Sequence, residues 1–252
     1  MIWKFINTGY NDGKFNMDFD LELVKNFSGV PVLRTYRWEP YCISLGANQQ
    51  PNSIDQEKTL SAGFNIIKRP TGGRAILHAE ELTYSVIYPI SVENTPKQIY
   101  REINLALLNG LVNFNPALNK IQLEHTQPHF PSFYKDTKST LCFAVSAMNE
   151  LNYDGKKVVG SAQRKIGDII LQHGSILCGT FHKRIVDYLD LPSENVEKIK
   201  NEIDKTTTEL ETILGEKINY DQLAQDIKKG FENHFNINFE EEIFSETILQ
   251  VN

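Results

Sequence analysis

Along this 252-residue chain the apolar positions separate short strands from a few amphipathic helices. Residues 2–6 read as an opening strand. From Asn16 onward, Met17, Leu21, Val24 and Phe27 fall three or four apart, the spacing of one helical face, and Gly29 closes the run. Residues 32–36 and 42–45 are short apolar runs joined by a turn through Arg37-Trp-Glu-Pro40. Ser53-Ile-Asp-Gln56 has capping-box spacing and predicts a helix that Gly63 ends. Strands over 64–67 and 82–88 then flank Lys68-Arg-Pro-Thr-Gly-Gly-Arg-Ala-Ile-Leu-His78.

Thr95-Pro-Lys-Gln98 predicts a second capping box, with proline at the first helical position. Ile99, Ile103, Ala106, Leu107 and Leu111 share one face of the helix that follows. Residues 115–140 have little periodicity and read as an irregular loop. Residues 156–162 and 169–177 form a hairpin pattern with Arg164-Lys-Ile-Gly-Asp168 between them. Beyond it lie helical faces of Val196, Ile199 and Ile203, then of Tyr220, Leu223, Ile227, Phe231 and Phe235, and a last strand over 237–243. Strands do not alternate regularly with helices, and no repeat or linker interrupts the chain. An α+β fold, a mixed β-sheet flanked by helices, is expected over residues 1–252 as a single catalytic domain.

Composition narrows the class. The apolar and charged fractions are those of an ordinary globular protein. No apolar run approaches the ~20 residues of a membrane span, and the N-terminus has no signal-peptide core, so no membrane association is expected. Cys42, Cys142 and Cys178 are odd in number, widely spaced and without a Cys-x-x-Cys pair. That pattern disfavours a disulfide framework or a zinc site and predicts a reducing, cytoplasmic setting. The net charge of −6 is uneven: from Ile185 onward there are 16 acidic and 6 basic residues, leaving +4 for residues 1–184. A nucleic-acid partner is disfavoured by the total. The basic segments, 68–74 and 156–184, suit an acidic protein partner or are simply a solvated surface.

The stretch from Lys68 to His78 concentrates candidate chemistry. Gly72 and Gly73 lack a Cβ and let backbone approach a ligand, with Arg69 and Arg74 on either side; a tight turn with exposed basic residues fits equally well. Cys142 is either a small buried hydrophobe or a nucleophile, and the second role needs a partner that favours thiolate. Lys157, fifteen residues on, is such a partner, because an ammonium stabilises thiolate and a desolvated lysine can carry protons. It opens Lys157-Val-Val-Gly-Ser-Ala-Gln163, where Gly160 and Ser161 again permit close approach. His78 and His173 read as acid–base groups or as hydrogen-bonded structural histidines. Trp3 and Trp38 read as packing residues, Cys42 as strand core and Cys178 as a residue near a strand end.

In combination, Arg69-Pro-Thr-Gly-Gly-Arg-Ala-Ile-Leu-His78, Glu81-Leu-Thr-Tyr-Ser85 and Lys157-Val-Val-Gly-Ser-Ala-Gln163 resemble the lipoate–biotin protein ligase superfamily. The likeness extends to Asn16-Met-Asp18, Arg34-Thr-Tyr-Arg-Trp38, Ser44-Leu-Gly46 and Leu171-Gln-His-Gly-Ser-Ile176, and so covers most of the chain. Arg74 stands where ATP-dependent lipoate ligases typically have a third glycine, and those ligases lack a cysteine at the position of Cys142. Both features resemble the cysteine-dependent octanoyltransferase branch. Lys68 departs from it, since arginine is more usual there; the charge is kept but the bidentate fork is lost.

The resemblance implies a biotin/lipoate ligase catalytic domain, like that of class II aminoacyl-tRNA synthetases. It implies transfer of an octanoyl group from acyl carrier protein to a lysine of a lipoyl-carrier domain, such as the glycine-cleavage H protein. Cys142 would be the nucleophile and Lys157 its acid–base partner. Arg69, Gly72, Gly73, Arg74, His78, Gly160, Ser161 and His173 would line the substrate site. No metal, nucleotide or other cofactor is implied, and a monomer is expected. Three rivals fit parts of the pattern: an ATP-dependent lipoate ligase, an amidotransferase moving octanoyl or lipoyl groups between carrier proteins, and a non-catalytic carrier-binding protein.

Overall fold

The computed structural model describes residues 1–124 and 150–241. The opening apolar run becomes β1 (Ile2–Asn11), followed by helix α1 (Gly13–Lys25). This helix starts earlier than the expected Asn16, because Asp12 is its N-cap and accepts from the Phe15 amide. Strands β2 (Val32–Trp38) and β3 (Cys42–Leu45) lie where expected. The capping box at Ser53 does not form. Asp55 caps α2 (Gln56–Ser61) through the Lys58 amide, while Ser53 ends a 3-10 turn and donates to Gln50 O. A carboxylate one residue from the helix simply outcompetes a serine three away. Strands β4 (Asn65–Lys68), β5 (Ile76–His78) and β6 (Glu81–Pro89) surround the Gly-Gly loop, and α3 (Pro96–Phe114) carries the reciprocal Thr95–Gln98 cap as expected.

Of the loop expected over 115–140, the described part forms a 3-10 turn, Pro116–Lys120, and the short β7 (Gln122–Leu123). After it come β8 (Leu151–Tyr153), β9 (Lys156–Ile166) and β10 (Ile169–Leu177). The acidic part contributes a 3-10 segment, Thr180–Tyr188, then α4 (Ser193–Thr206), α5 (Leu210–Leu214), α6 (Tyr220–Phe235) and β11 (Asn238–Glu241).

Two sheets result. The larger runs β11-β1-β2-β6-β10-β9-β8-β7, parallel across its first three strands and antiparallel beyond. The smaller is β4-β3-β5. Helices α3 and α6 cover one face of the large sheet, burying Leu33, Tyr84, Ile103, Leu107, Ile227 and Phe231. Trp3 sits in that core among Tyr88, Phe231, Phe235 and Phe239, a packing residue as expected. Helix α1 and the small sheet cover the opposite face. A second core joins Ile43, Leu77, Ile185 and Ile203, so the 3-10 segment and α4 pack behind the small sheet. Among the described residues no helix is long and apolar enough to cross a membrane.

Helices α3 and α6 cross at two glycines. A Cβ on Gly230 would lie 2.3 Å from Gly110 N and 2.6 Å from Ala106 O. Both obstacles are backbone, so no side-chain rotation relieves them. Alanine there gains about 1 kcal/mol in helix propensity, but overpacking of this kind costs about 1–3 kcal/mol. Gly230→Ala is therefore expected to lower the urea midpoint. An unchanged or higher midpoint would show that the crossing has room to spread.

Candidate active site

The face of the large sheet opposite α3 and α6 carries a cleft. Its apolar wall includes Met17 from α1, Tyr36 and Trp38 from β2, and Ile76 from β5. Six residues singled out by sequence line it together: Arg69, His78, Lys157, Gly160, Ser161 and His173. Gly72, Gly73 and Arg74 do not line it but form the adjoining loop. Cys142 lies outside the described residues.

Lys157 reaches the cleft because of a β-bulge. Pairing of β8 with β9 runs Leu151↔Val159 and then Asn152↔Lys157, so Val158 has no partner. An extra residue in one strand flips the facing of everything beyond it. Val158 and Val159 consequently both enter the apolar core, and Lys157 takes the cleft face alongside Gly160 and Ala162. Its side chain is 2% exposed, and Nζ lies 2.8 Å from Oε2 of Glu150, which is 4% exposed and lines the same cleft. The Lys157 backbone is held from the acidic part of the chain, where the Thr208 amide donates to its carbonyl at 3.0 Å.

The Gly-Gly loop is organised through its carbonyls. Arg69 donates from Nη1 to Ser44 O and Oγ (3.0 and 3.1 Å) and from Nη2 to Gly72 O and Arg74 O (2.9 and 2.7 Å). The Ala47 amide holds Thr71 O at 2.8 Å, and Arg164, from the β9 end of the hairpin, holds Pro70 O at 2.7 Å. Gly73 adopts φ +94°, a left-handed conformation that favours glycine. The close approach that the two glycines suggested is made by a third: a Cβ on Gly46 would lie 2.0 Å from Gly73 O, whereas one on Gly72 would meet nothing.

Both cleft histidines sit in buried polar networks. Ser44 Oγ accepts from Arg69, leaving its own proton for His78 Nε2 at 2.7 Å; His78 Nδ1 donates to Glu81 Oε1 at 2.8 Å. The Thr83 and Ser175 hydroxyls donate to the same oxygen, at 2.6 and 2.7 Å. Burial alone would raise the Glu81 carboxyl, but His78 and these hydroxyls outweigh it and hold it below the usual carboxylate range. Trp38 stacks on His78 with centroids 4.0 Å apart and donates to Thr83 Oγ1, so this tryptophan is a wall of the site as well as a packing residue.

His173 Nε2 lies 2.6 Å from Thr71 Oγ1, and Nδ1 lies 3.5 Å from Asp20 Oδ2. Burial lowers the imidazole's pKa, keeping it neutral near pH 7. Asp20 pairs with Arg34 at 2.7 Å, both with side chains 0% exposed, and accepts from Ser85. Burial works against the Asp20 charge, yet Arg34, His173 and Ser85 outweigh it and leave the carboxyl below its ordinary value. The imidazoles are thus engaged in holding the loop and strands, which favours the structural reading of each. Burial also pushes the Cys42 and Cys178 thiols up, away from thiolate.

Glu81, Arg34 and Trp38 stand inside the motifs quoted above and Asp20 two residues beyond one of them, but nothing in their spacing marked them as cleft or network residues. Glu150 carried no signal in the sequence, and only the tertiary structure brings it to Lys157.

The model of the lipoyl protein ligase A/B catalytic domain matches residues 12–232. The chain belongs to that family. An octanoyltransferase LipM of Staphylococcus aureus (strain NCTC 8325 / PS 47) is 35% identical over 243 residues, covering 93% of this chain and 87% of that protein. One from Bacillus subtilis (strain 168) is 33% identical over 248 residues, covering 94% and 88%. The bi-partite lipoate protein ligase of Thermoplasma acidophilum superposes with a TM-score of 0.78 at 18% identity, covering 99% of this chain and 89% of that one. At that identity the likeness speaks for the fold, and it is the mixed sheet flanked by helices that the family resemblance implied.

Proposed function

We propose that this protein is an octanoyltransferase of lipoate biosynthesis, acting through an acyl-enzyme on Cys142. One observation carries the reading: an apolar cleft with a single buried lysine in its described wall, in a chain similar along most of its length to proteins named octanoyltransferase LipM. The chemistry suits these residues. The Cys142 thiolate attacks the carbonyl carbon of an octanoyl thioester on acyl carrier protein, a C–S bond forms, and the carrier thiol leaves with a proton. The amine of a lipoyl-domain lysine then attacks the new thioester, loses a proton, and expels Cys142 as the octanoyl amide forms.

Exchange of one thioester for another is nearly balanced, and amide formation from a thioester is downhill, so no nucleotide is needed to drive either step. Lys157 would stabilise the thiolate and shuttle the protons. The walls formed by Met17, Tyr36, Trp38 and Ile76 suit an alkyl chain. Arg69 and His173 would hold the Gly72–Gly73 loop in place beside it, with His78 stacked on Trp38, and Gly160 and Ser161 leaving room along β9. The basic balance of residues 1–184 favours acidic carrier domains as partners, met in a reducing cytoplasm by one catalytic unit spanning the chain.

Intact-protein mass spectrometry after mixing with octanoyl-acyl carrier protein tests this. One octanoyl adduct per chain, labile to neutral hydroxylamine, is expected without ATP. No adduct, together with strict dependence on ATP and free lipoate for modifying a lipoyl domain, would overturn the acyl-enzyme in favour of an adenylating ligase.

A further inference from the structure

We propose that Glu150 is a positioning residue for this reaction, aiming Lys157 into the cleft. The inference rests on the octanoyltransferase reading above and deepens it. The two groups meet at 2.8 Å with almost no exposure, yet Glu150 precedes β8 and Lys157 lies in β9, and the bulge that omits Val158 from the pairing turns the lysine toward it. Regular pairing would have turned Lys157 to the opposite, apolar face of the sheet. Leu151 faces the apolar core, so its neighbour Glu150 lies on the cleft side, where the bulge also delivers Lys157.

Stability alone is a weak reason for such a pair. Removing two charges from water costs about as much as their attraction returns, and a well-packed apolar pair of similar volume commonly serves at least as well. The pair stands in the wall of the cleft, where a fixed charge has chemical use. A buried lysine beside a carboxylate has its charge compensated. It also loses rotamers, so Nζ is presented in one place instead of several. Burial raises the Tyr100 and Tyr84 phenols, that of Tyr84 to about 12, and the nearby Glu150 carboxylate adds to each shift.

The test is a double-mutant cycle on the full chain, with single-turnover acylation by octanoyl-acyl carrier protein measured against donor concentration. Glu150→Gln keeps the shape and removes the charge. It is expected to lower the maximal acylation rate about 10- to 100-fold, with the half-saturating donor concentration changed less than about twofold, because the donor does not gain or lose a contact. Glu150→Asp, which restores the charge, should recover part of the rate and serves where the glutamine variant folds poorly. In a Lys157→Ala background Glu150→Gln should cost less than about twofold, since its effect runs through the lysine. Equal losses in both backgrounds, or a rise in the half-saturating concentration alone, would overturn the inference. Wild-type protein that forms no adduct sinks the underlying octanoyltransferase reading and this inference with it; a wild-type adduct with unimpaired Glu150→Gln sinks this inference alone.

Discussion

Lys157→Ala is expected to slow formation of the octanoyl enzyme by roughly 10²–10⁴-fold, the range of a positioned acid–base group. The side chain is the one lysine in the described wall of the cleft, it is buried, and a β-bulge turns it toward that cleft. Its removal also leaves Glu150 buried without its cation, which costs about 3–5 kcal/mol if the carboxylate stays charged. Loss of rate and loss of fold must therefore be separated. The double variant Lys157→Ala with Glu150→Gln removes both charges and should melt no lower than Lys157→Ala alone, while remaining as slow. Single-turnover acylation followed by intact mass, with Cys142→Ala as the zero, reads the rate, and a thermal melt reads the fold. Near-wild-type acylation in either folded variant would remove Lys157 from the mechanism.

Asp20→Ala is expected to be the most destabilising single change among the polar residues of the described core. It strands Arg34, whose Nη1 meets Asp20 at 2.7 Å and whose side chain has no exposure. Breaking a buried pair in this way costs about 3–5 kcal/mol. In a protein of this size that corresponds to a fall in Tm of roughly 6–20 °C. The remaining partners of Arg34, Asn16 and Thr8, are neutral and cannot replace the lost charge. Arg34 also stacks over Tyr36, so the disturbance reaches the cleft wall.

The effect has a definite pH dependence. Asp20 has a folded pKa below its ordinary value of 3.8, so its contribution is fully present above that value and is lost as pH falls through the lower, folded pKa. The gap between wild type and Asp20→Ala in urea midpoint should be widest at neutral pH and narrow toward pH 2. An equal gap at both ends would mean that the carboxylate's charge is not what holds Arg34.

Where one element's own residues settle its structure, sequence and structure agree. The Thr95–Gln98 cap is satisfied within four residues, the apolar faces of α3 and α6 follow a 3.6-residue period, and the hairpin of β9 and β10 closes through a local turn. Where two nearby groups compete, the reading slipped: Ser53 lost to Asp55 at the start of α2, and Asp12 began α1 ahead of Asn16. The site was legible as a set of residues but not as an arrangement. Arg69, His78, Lys157, Gly160, Ser161 and His173 do share one cleft, yet the ordering of the loop by Arg69, the approach of Gly46 to Gly73 and the pairing of the histidines with Asp20 and Glu81 all join residues far apart in the chain.

The sequence by itself determined the α+β class, the ordered motifs of the family and the suspicion that falls on Lys157, because periodicity, capping and residue type are local properties. Only the tertiary structure decided which face of the sheet Lys157 occupies and what it meets there. One unpaired residue, Val158, reverses the facing of a strand, and no local pattern records whether a neighbouring strand will skip it. The carboxylate of Glu150 is the partner that this skip supplies.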